Sequence, residues 1–325
     1  MKAVVVEAPA RLHLGFIDLS GALGRRFGSI GLAISDISTR LCIQKTNESS
    51  ACTDSPEAER VMRYADLVLA RLGISERPSI AVEEYIPGHA GLGSGTQLAL
   101  AVGRGIAEIH ALELTTAEIA AVTNRGARSG IGISVFDSGG FVVDLGRGQL
   151  TKTPPELCRL AFPEQWRVLL VTDANHEGIS GSLESKAFSD MPPMQQSLAA
   201  ALSHRTLMGV IPSIIEHDFP LFVRSVEFIQ KGIGEYFAPF QGGERFTSRP
   251  VAALISSIKG RWPGVGVGQS SWGPSAFVFC QSPSVANEIV TACEIELLTA
   301  GQYPGLKVSA HKPRNHGAVI EHINL

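Results

Sequence analysis

Four glycines fall within the run Pro87-Gly88-His89-Ala90-Gly91-Leu92-Gly93-Ser94-Gly95-Thr96-Gln97, which leads straight into a helical pattern over residues 98–112. Glycine permits positive φ and lets the backbone approach a ligand, and a helix start adds unpaired N–H groups and the positive end of its dipole. The guest expected there is a phosphate or pyrophosphate. Gly88, His89, Gly91, Leu92, Gly93, Ser94, Gly95, Thr96 and Gln97 are the candidate cradle. It is not a familiar nucleotide fingerprint: the P-loop lysine is absent, and a G-x-G-x-x-G following a strand does not fit the register.

A second constellation precedes it. Ala8-Pro9-Ala10-Arg11-Leu12-His13-Leu14-Gly15-Phe16 leaves a strand, and side chains two apart on extended backbone share a face. Arg11 and His13 therefore point the same way, the first able to fork onto a phosphate, the second to add a hydrogen bond. Asp18, Arg25 and Arg26 follow in a glycine-rich turn and offer a charged rim. Farther on, Asn175-His176-Glu177-Gly178-Ile179-Ser180-Gly181-Ser182 forms a small glycine turn suited to a second phosphate or a substrate clamp, through Gly178, Ser180 and Gly181. Gln269-Ser270-Ser271-Trp272-Gly273 sits between two short strands, and Trp272 offers an aromatic wall. His311, His316 and His322 lack the spacing of a one-face metal site and read as structural or surface residues.

The elements that must carry these groups are legible in outline. Residues 3–7 alternate as a strand, and β-branched residues over 30–46 suggest two strand segments. Ser55-Pro56 looks like the start of a helix ending before Gly73, and residues 79–86 form the strand feeding the glycine loop. Thr115-Thr116-Ala117-Glu118 is a capping box opening a helix that stops at Gly126, and residues 133–143 read as a strand. After a proline-rich seam at 147–163, the pattern runs strand (166–173), helices (192–260), strands (265–269 and 275–281), helix (284–300) and strands (306–310 and 318–323). Two α+β halves are expected, at residues 1–160 and 161–325. With 325 residues, 44% hydrophobic and 18% charged, the chain can build large cores. A net charge of −3 without a basic stripe gives no support for a nucleic-acid surface, and no nucleic-acid partner is expected. No signal segment or membrane-length apolar stretch is read, so a cytoplasmic protein is expected. Five scattered cysteines without a C-x-x-C pair read as free thiols.

Three motifs in the right order, Ala8-Pro9-Ala10-Arg11, Gly91-Leu92-Gly93-Ser94 and Gly266-Val267-Gly268, resemble the GHMP small-molecule kinase superfamily across nearly the whole chain. The resemblance implies an N-terminal domain like ribosomal protein S5 domain 2, a ferredoxin-like C-terminal domain and a ligand site between them. Two departures stand out. The kinase loop usually reads Gly-Leu-Gly-Ser-Ser-x-Ala, whereas Ser94 is followed here by Gly95-Thr96-Gln97. Many of the kinases carry Ser-Gly-x-Asp, whose Asp serves as base or orients the substrate hydroxyl; the run here is Ser129-Gly130-Ile131-Gly132. General-base help is worth about 10² to 10⁴-fold, so its loss argues against phosphoryl transfer to a hydroxyl. Asp137, five residues on, is the candidate replacement.

Within that superfamily, Gly-His-x-Gly-Leu-Gly-Ser-Gly-Thr-Gln at 88–97, Ser-Gly-Ile-Gly with the later Gly139-Gly140-Phe141, and Gln269-Ser270-Ser271-Trp272-Gly273-Pro274 resemble the β-ribofuranosylaminobenzene 5'-phosphate synthase family. What this implies is condensation of phosphoribosyl pyrophosphate with 4-aminobenzoate or 4-hydroxybenzoate, with loss of CO2 and pyrophosphate, toward tetrahydromethanopterin. Arg11, His13 and Asp137 would be catalytic, Mg²⁺ would sit on Ser94 or Thr96, and Arg11, Arg26 and Lys186 would hold the anionic ends of the substrates. Asp18, Gln269, Ser270, Ser271 and Gly273 complete the expected substrate contacts, and a homodimer is the family expectation. The rival reading is an ATP-dependent kinase of a small alcohol.

Overall fold

The structure, a computed structural model, describes residues 2–45, 55–176, 178, 181–300 and 305–324. Two long strands, β1 (Lys2–Asp18) and β2 (Phe27–Gln44), pair antiparallel over almost their whole length. They are the spine of a six-stranded sheet in the order β10-β1-β2-β4-β5, with β3 (Ser79–Glu84) also on β2. Here β4 is Phe141–Asp144, β5 is Glu156–Leu160 and β10 is Val319–Asn324. One face of the sheet carries α1 (Ala58–Leu72), α2 (Ser94–Ile109) and α3 (Thr116–Val122), burying Val4, Val6, Ala8, Leu41 and Ile43 with Tyr64, Leu98 and Val102.

The second half alternates β6 (Arg167–Asp173), helices, β7 (Gly266–Gln269), β8 (Ala276–Cys280), α10 (Pro283–Ala300) and β9 (Leu306–His311). Its sheet is antiparallel in the order β9-β6-β8-β7. The first strand thus lies inside, next to the fourth and third, which is the ferredoxin-like arrangement expected. Between β6 and β7 run α5 (Gly181–Asp190), α6 (Gln196–Arg205), α7 (Ile211–Ile215), α8 (Phe219–Phe237) and α9 (Arg249–Arg261). A core shared by both halves joins Leu12, Leu14, Leu32 and Phe141 to Trp166, Leu202, Phe222, Val226 and Phe277.

Several expectations need correction. Over the described residues of the 30–46 segment there is one strand, β2, where two segments were expected. The segment read as a strand over 133–143 is mostly α4 (Ile131–Ser138), followed by β4. A short apolar run buried on several sides has no readable period, and Ile131, Ile133, Val135 and Phe136 are all buried. The Ser55 hydroxyl accepts from the Glu57 amide but does not cap α1, whose first residue is Ala58. The capping box at Thr115 is present, with Glu118 returning to the Thr115 amide, though its helix ends at Val122 and not at Gly126. The stretch Gln196–Ile215 is long and apolar enough, by length and composition, to span a membrane. It is instead broken by a π turn at Thr206–Val210, and Ala199, Leu202, Val210 and Ile214 bury one side of it in the shared core. Finally, β10 does not stay with the second half but returns to pair with β1, Ala3 opposite Ile323 and Glu7 opposite Val319.

Candidate active site

A β-bulge aims the first functional side chains. The β1–β2 register slips between Pro9 and Arg11 and again between His13 and Gly15. Before the first slip the even residues Val4, Val6 and Ala8 face the helix layer; after it Ala10, Leu12 and Leu14 enter the shared core. Bulges re-aim side chains in this way, and Arg11 and His13 are left facing a cleft at the start of α2.

Three backbone segments meet tightly at that point. The Arg11 amide donates to the Leu92 carbonyl (3.0 Å) and its guanidinium to the Gly91 carbonyl (2.7 Å). The Ser270 hydroxyl donates to the same Gly91 oxygen (2.7 Å) and accepts from the His13 amide (3.1 Å), while the Ser271 amide donates to the His13 carbonyl (3.1 Å). A Cβ on Gly91, whose φ is +78°, would sit 2.3 Å from the Ser270 carbonyl oxygen, and one on Gly273 would sit 2.4 Å from the Gly91 nitrogen. Gly178 packs against the same junction, its amide donating to the His89 carbonyl (3.3 Å).

Gly93, at φ +87°, is the N-cap of α2, and its carbonyl accepts the first intrahelical bonds, from the amides of Thr96 and Gln97. The Ser94 and Gly95 amides precede those bonds and open the helix N-terminus to an anion. Around it the cleft, of about 490 Å³, gathers five arginines: Arg11, Arg60, Arg63, Arg125 and Arg128. Buried Tyr64 supports two of them, with the Arg63 and Arg125 guanidinium carbons 5.1 and 5.4 Å from its ring centroid and a hydrogen bond from Arg125 to its hydroxyl. Glu57 orients Arg60 at 2.6 Å. A Cβ on Gly95 would lie 3.1 to 3.2 Å from the guanidinium groups of Arg60 and Arg125. The departure from the kinase loop at this position makes room for cations. Among the described residues that line the cleft there is no Asp or Glu.

That donor set bears on Mg²⁺. Ser94 and Thr96 both line the cleft, but two neutral hydroxyls among five guanidinium groups, without a carboxylate, do not make a protein site for a hard dication. No group of three or more His, Cys, Asp or Glu residues suited to a metal occurs among the described residues.

Beyond His13, Phe16, Ser271 and Trp272, which line both spaces, lies a smaller slot of about 30 Å³. Its walls are aromatic. Phe188 of α5 and Phe237 at the end of α8 stand 4.9 and 4.8 Å from Trp272, centroid to centroid, and Phe16 stands 5.7 Å from Phe188. Arg128 covers the Phe188 ring at 4.7 Å. His13 is held neutral: burial first, then the positive charge of Arg11, pushes its pKa down to about 3. The His13 Nε2 and Trp272 Nε1 atoms are buried without a hydrogen-bond partner.

The structure therefore gathers Arg11, His13, His89, Gly91, Gly93, Ser94, Gly95, Thr96, Ser271, Trp272 and Gly273 at the cleft, and Gln269 at the slot. It corrects other expectations. Gly88 lines neither space, Leu92 is a core residue, and Gln97 is fully buried with its amide donating to the Gly132 carbonyl (2.8 Å). Ser270 is a buried brace. Asp137 is not brought to the site: α4 begins at the cleft with Gly132 and rises about 1.5 Å per residue away from it, and the Asp137 carboxylate accepts from Thr116 (2.5 Å) on α3. Asp18 closes its own turn on Ser20 (2.6 and 2.7 Å), Arg26 bridges Arg147 through its backbone, and Lys186 is exposed; none lines either space. Ser180 lies outside the described residues, and Gly181 is described only as the first residue of α5.

Sequence reasoning missed Arg60, Arg63, Arg125 and Arg128. The signal was present as two Arg-x-x-Arg spacings, one at the start of a helix and one directly before Ser129-Gly130. That second corner is pinned from beneath by buried Asp144, which accepts from Ser29, from the Gly130 amide (2.9 Å) and from the Gly146 amide (2.8 Å). Burial pushes its carboxyl pKa up while these bonds pull it down.

Comparison with known proteins gives the lineage. Residues 59–140 match the GHMP kinases N terminal domain. A protein of Methanothermobacter thermautotrophicus named beta-ribofuranosylphenol 5'-phosphate synthase is 32% identical over 296 residues, 84% of this chain and 88% of that protein. This chain belongs to that family. An Archaeoglobus fulgidus protein of the same name is 33% identical over 70% of this chain and 75% of its own length. Among solved structures, homoserine kinase from Cytophaga hutchinsonii superposes with a TM-score of 0.67 at 16% identity, covering 98% of this chain and 97% of that one. The last likeness speaks to the fold alone, the GHMP kinase arrangement of two α+β domains.

Proposed function

We propose that this member of the beta-ribofuranosylphenol 5'-phosphate synthase family transfers the phosphoribosyl group of 5-phosphoribosyl 1-pyrophosphate to a para-substituted benzoate, 4-aminobenzoate or 4-hydroxybenzoate, releasing CO2 and pyrophosphate. The product serves tetrahydromethanopterin biosynthesis. The observation that carries the reading is the cleft itself: five guanidinium groups and a helix N-terminus converge on a space that no described carboxylate lines. Such a surface stabilises a departing diphosphate, whose negative charge grows as the anomeric C–O bond breaks. It offers no carboxylate to deprotonate an alcohol.

The chemistry asks for no such base. The ring carbon that bears the carboxylate, made electron-rich by the para substituent, attacks the anomeric carbon. Pyrophosphate departs with the electron pair of the C–O bond. The ring then expels CO2, and the electrons of the C–C bond restore aromaticity. No proton moves at carbon, so the protein's tasks are positioning, charge stabilisation and exclusion of water. Arg11 and the amides of Ser94 and Gly95 face the diphosphate in this reading, with Arg60, Arg63 and Arg125 on the same anion and Arg128 at the mouth of the aromatic slot. Mg²⁺ enters as part of the diphosphate substrate. The protein works in the cytoplasm as a homodimer, the latter resting on the resemblance and checked by sedimentation.

A kinase reading is weaker, because the replacement base Asp137 is tied to Thr116 away from the cleft. Incubation with Mg²⁺, phosphoribosyl pyrophosphate and carboxyl-labelled 4-aminobenzoate or 4-hydroxybenzoate decides between them. Labelled CO2 is expected from at least one acceptor. ATP consumption with a hydroxyl substrate and no CO2 from either benzoate would replace this reading with the kinase one.

A further inference from the structure

Four residues line both the cleft and the slot: His13, Phe16, Ser271 and Trp272. In the reaction read above the anomeric carbon lies among them. It gives up a bond to the diphosphate held over the arginines and gains one to an aromatic ring, and the aromatic side chains Phe16 and Trp272 stand at this junction. The polar atoms there differ in kind. Phe16 has none, the Trp272 indole only donates, and the Ser271 hydroxyl carries a hydrogen of its own. His13 is 4% exposed, and its Nε2 has no hydrogen-bond partner. The ring also bonds its own backbone in the sense that favours the protonated form, so a ring N–H donates there. That nitrogen is Nδ1, because Nε2 is unpartnered, and a neutral imidazole has a single N–H.

Nε2 is therefore a bare lone pair on a fixed ring. The His13 amide donates to the Ser270 hydroxyl and its carbonyl accepts from the Ser271 amide, both at 3.1 Å, and the Phe16 ring packs 4.7 Å away, centroid to centroid. A buried acceptor left unpaired is costly to the fold and calls for a partner. The charges around it say which. As the anomeric C–O bond breaks, its electron pair leaves with the pyrophosphate, and C1 and the ring oxygen of the sugar take up positive charge. Five guanidinium groups favour the first change and oppose the second. No described carboxylate lines the cleft to offset them. A lone pair on a neutral ring reaches the sugar's charge through the hydroxyl on the carbon next to C1. That 2-hydroxyl grows more acidic as C1 becomes positive, so its hydrogen bond to an acceptor strengthens toward the transition state.

Resting on the reaction read above, we propose that His13 Nε2 accepts a hydrogen bond from the 2-hydroxyl of the ribosyl donor. His13 is then a catalytic residue of the transfer and the residue that selects a ribosyl over a 2-deoxyribosyl donor. The proton stays on the hydroxyl oxygen throughout, and His13 takes up none. The bonds made and broken remain those at the anomeric carbon and at the carboxylate-bearing ring carbon. A protonated imidazole in the same place would add a further cation beside C1 and offer no lone pair, which is why a ring kept neutral by burial and by Arg11 suits this task.

The test compares kcat and KM for phosphoribosyl pyrophosphate and its 2-deoxyribosyl counterpart, with Mg²⁺ and whichever benzoate releases CO2, in the native protein, His13→Phe and His13→Gln. The two donors differ in intrinsic reactivity, but that difference is common to all three proteins and cancels when their ribo-to-deoxy ratios of kcat are compared. The ratio should fall about tenfold or more in His13→Phe, the scale of a buried hydrogen bond that tightens in the transition state. His13→Gln, whose amide oxygen also accepts, should restore part of it. The KM for phosphoribosyl pyrophosphate should stay within about twofold, since its diphosphate lies on the arginines. An unchanged ratio, with both donors losing rate alike, would make His13 a packing residue and leave the reaction standing. A second measurement needs no variant. In the native protein with isotopically labelled histidine nitrogens, the His13 Nε2 resonance should move upfield when Mg²⁺ and phosphoribosyl pyrophosphate are added without acceptor, and stay in place with the deoxy donor. A resonance that moves equally with both donors, or with neither, would overturn the contact. Absence of CO2 from both benzoates in the native protein would overturn the reaction, and the His13 assignment with it.

Discussion

Buried beside Arg11 and near Arg128, His13 gives up its proton in conditions far more acid than free imidazole requires, its pKa lowered from 6.5 to about 3. Its charge is therefore constant across any working pH, and its role at the junction of cleft and slot is that of a neutral ring. The linkage has a definite sign. The folded form binds its proton less readily than the unfolded chain, so His13 contributes stability above about pH 6.5, and that stability is lost as the pH falls toward 3. Between pH 7 and pH 5 the loss is about 2 kcal/mol. In urea unfolding at the two pH values, His13→Asn should lose less stability than the native protein by about that amount; His110 and His311, also lowered by burial, act alike in both. Equal losses would mean that His13 is not the buried neutral group. Arg11 and His13 were legible because alternation on extended backbone puts them on one face. Arg60, Arg63, Arg125 and Arg128 were not, since an arginine on an amphipathic helix or in a glycine turn reads as a solvated residue until the fold brings the start of α1 and the turn between α3 and α4 to one space.

The glycine loop and the 270–273 turn act as a single element, because each has a glycine where the other's backbone passes. Gly91 and Gly242 separate two costs of adding a methyl group. Both have positive φ, +78° and +69°, but a Cβ on Gly242 meets nothing within 4 Å whereas one on Gly91 meets the Ser270 carbonyl at 2.3 Å. Gly242→Ala should therefore cost about 1 kcal/mol for the left-handed conformation alone. Gly91→Ala must in addition displace the backbone that carries Ser271 and Trp272, and should cost about 3 kcal/mol or more. A shift of about 1 Å at the reacting groups lowers kcat/KM about a hundredfold. Urea unfolding and steady-state rates check both values; equal stability of the two variants would mean the loop and turn are not locked together. At this scale the sequence was readable wherever side-chain chemistry is local, as in the capping box at Thr115. It misled at α4, where an apolar run buried all round carries no period; Asp137 was chosen for its closeness in sequence to the missing aspartate, and the helix ties it to Thr116 instead.

At the scale of the whole chain, a division at residue 160 describes the order of elements and not the units that hold together. The Ala318–Ile323 segment was readable as a strand, but its partner was not, because local pattern places it beside β9 and only the three-dimensional arrangement brings it to β1. There β10 covers the edge of β1 from Lys2 to Glu7, and just before it Arg314 pairs with Glu7 at 2.5 Å while Asn315 bonds both the amide (2.8 Å) and the carbonyl (2.9 Å) of Phe162. The shared core draws Leu12, Leu32 and Phe141 from the first half and Trp166, Phe222 and Phe277 from the second. A fragment of residues 1–160 would expose one side of that core and leave β1 as an unpaired edge, the kind of edge that aggregates. It should lack the dispersed amide resonances of a folded domain and bind no phosphoribosyl pyrophosphate, even though it retains the glycine loop and all five arginines. The full chain should unfold in one transition by near-ultraviolet and far-ultraviolet dichroism alike. A fragment that gave a dispersed spectrum, or two separated transitions in the full chain, would mean that the halves are independent and that the cleft is built by the first alone.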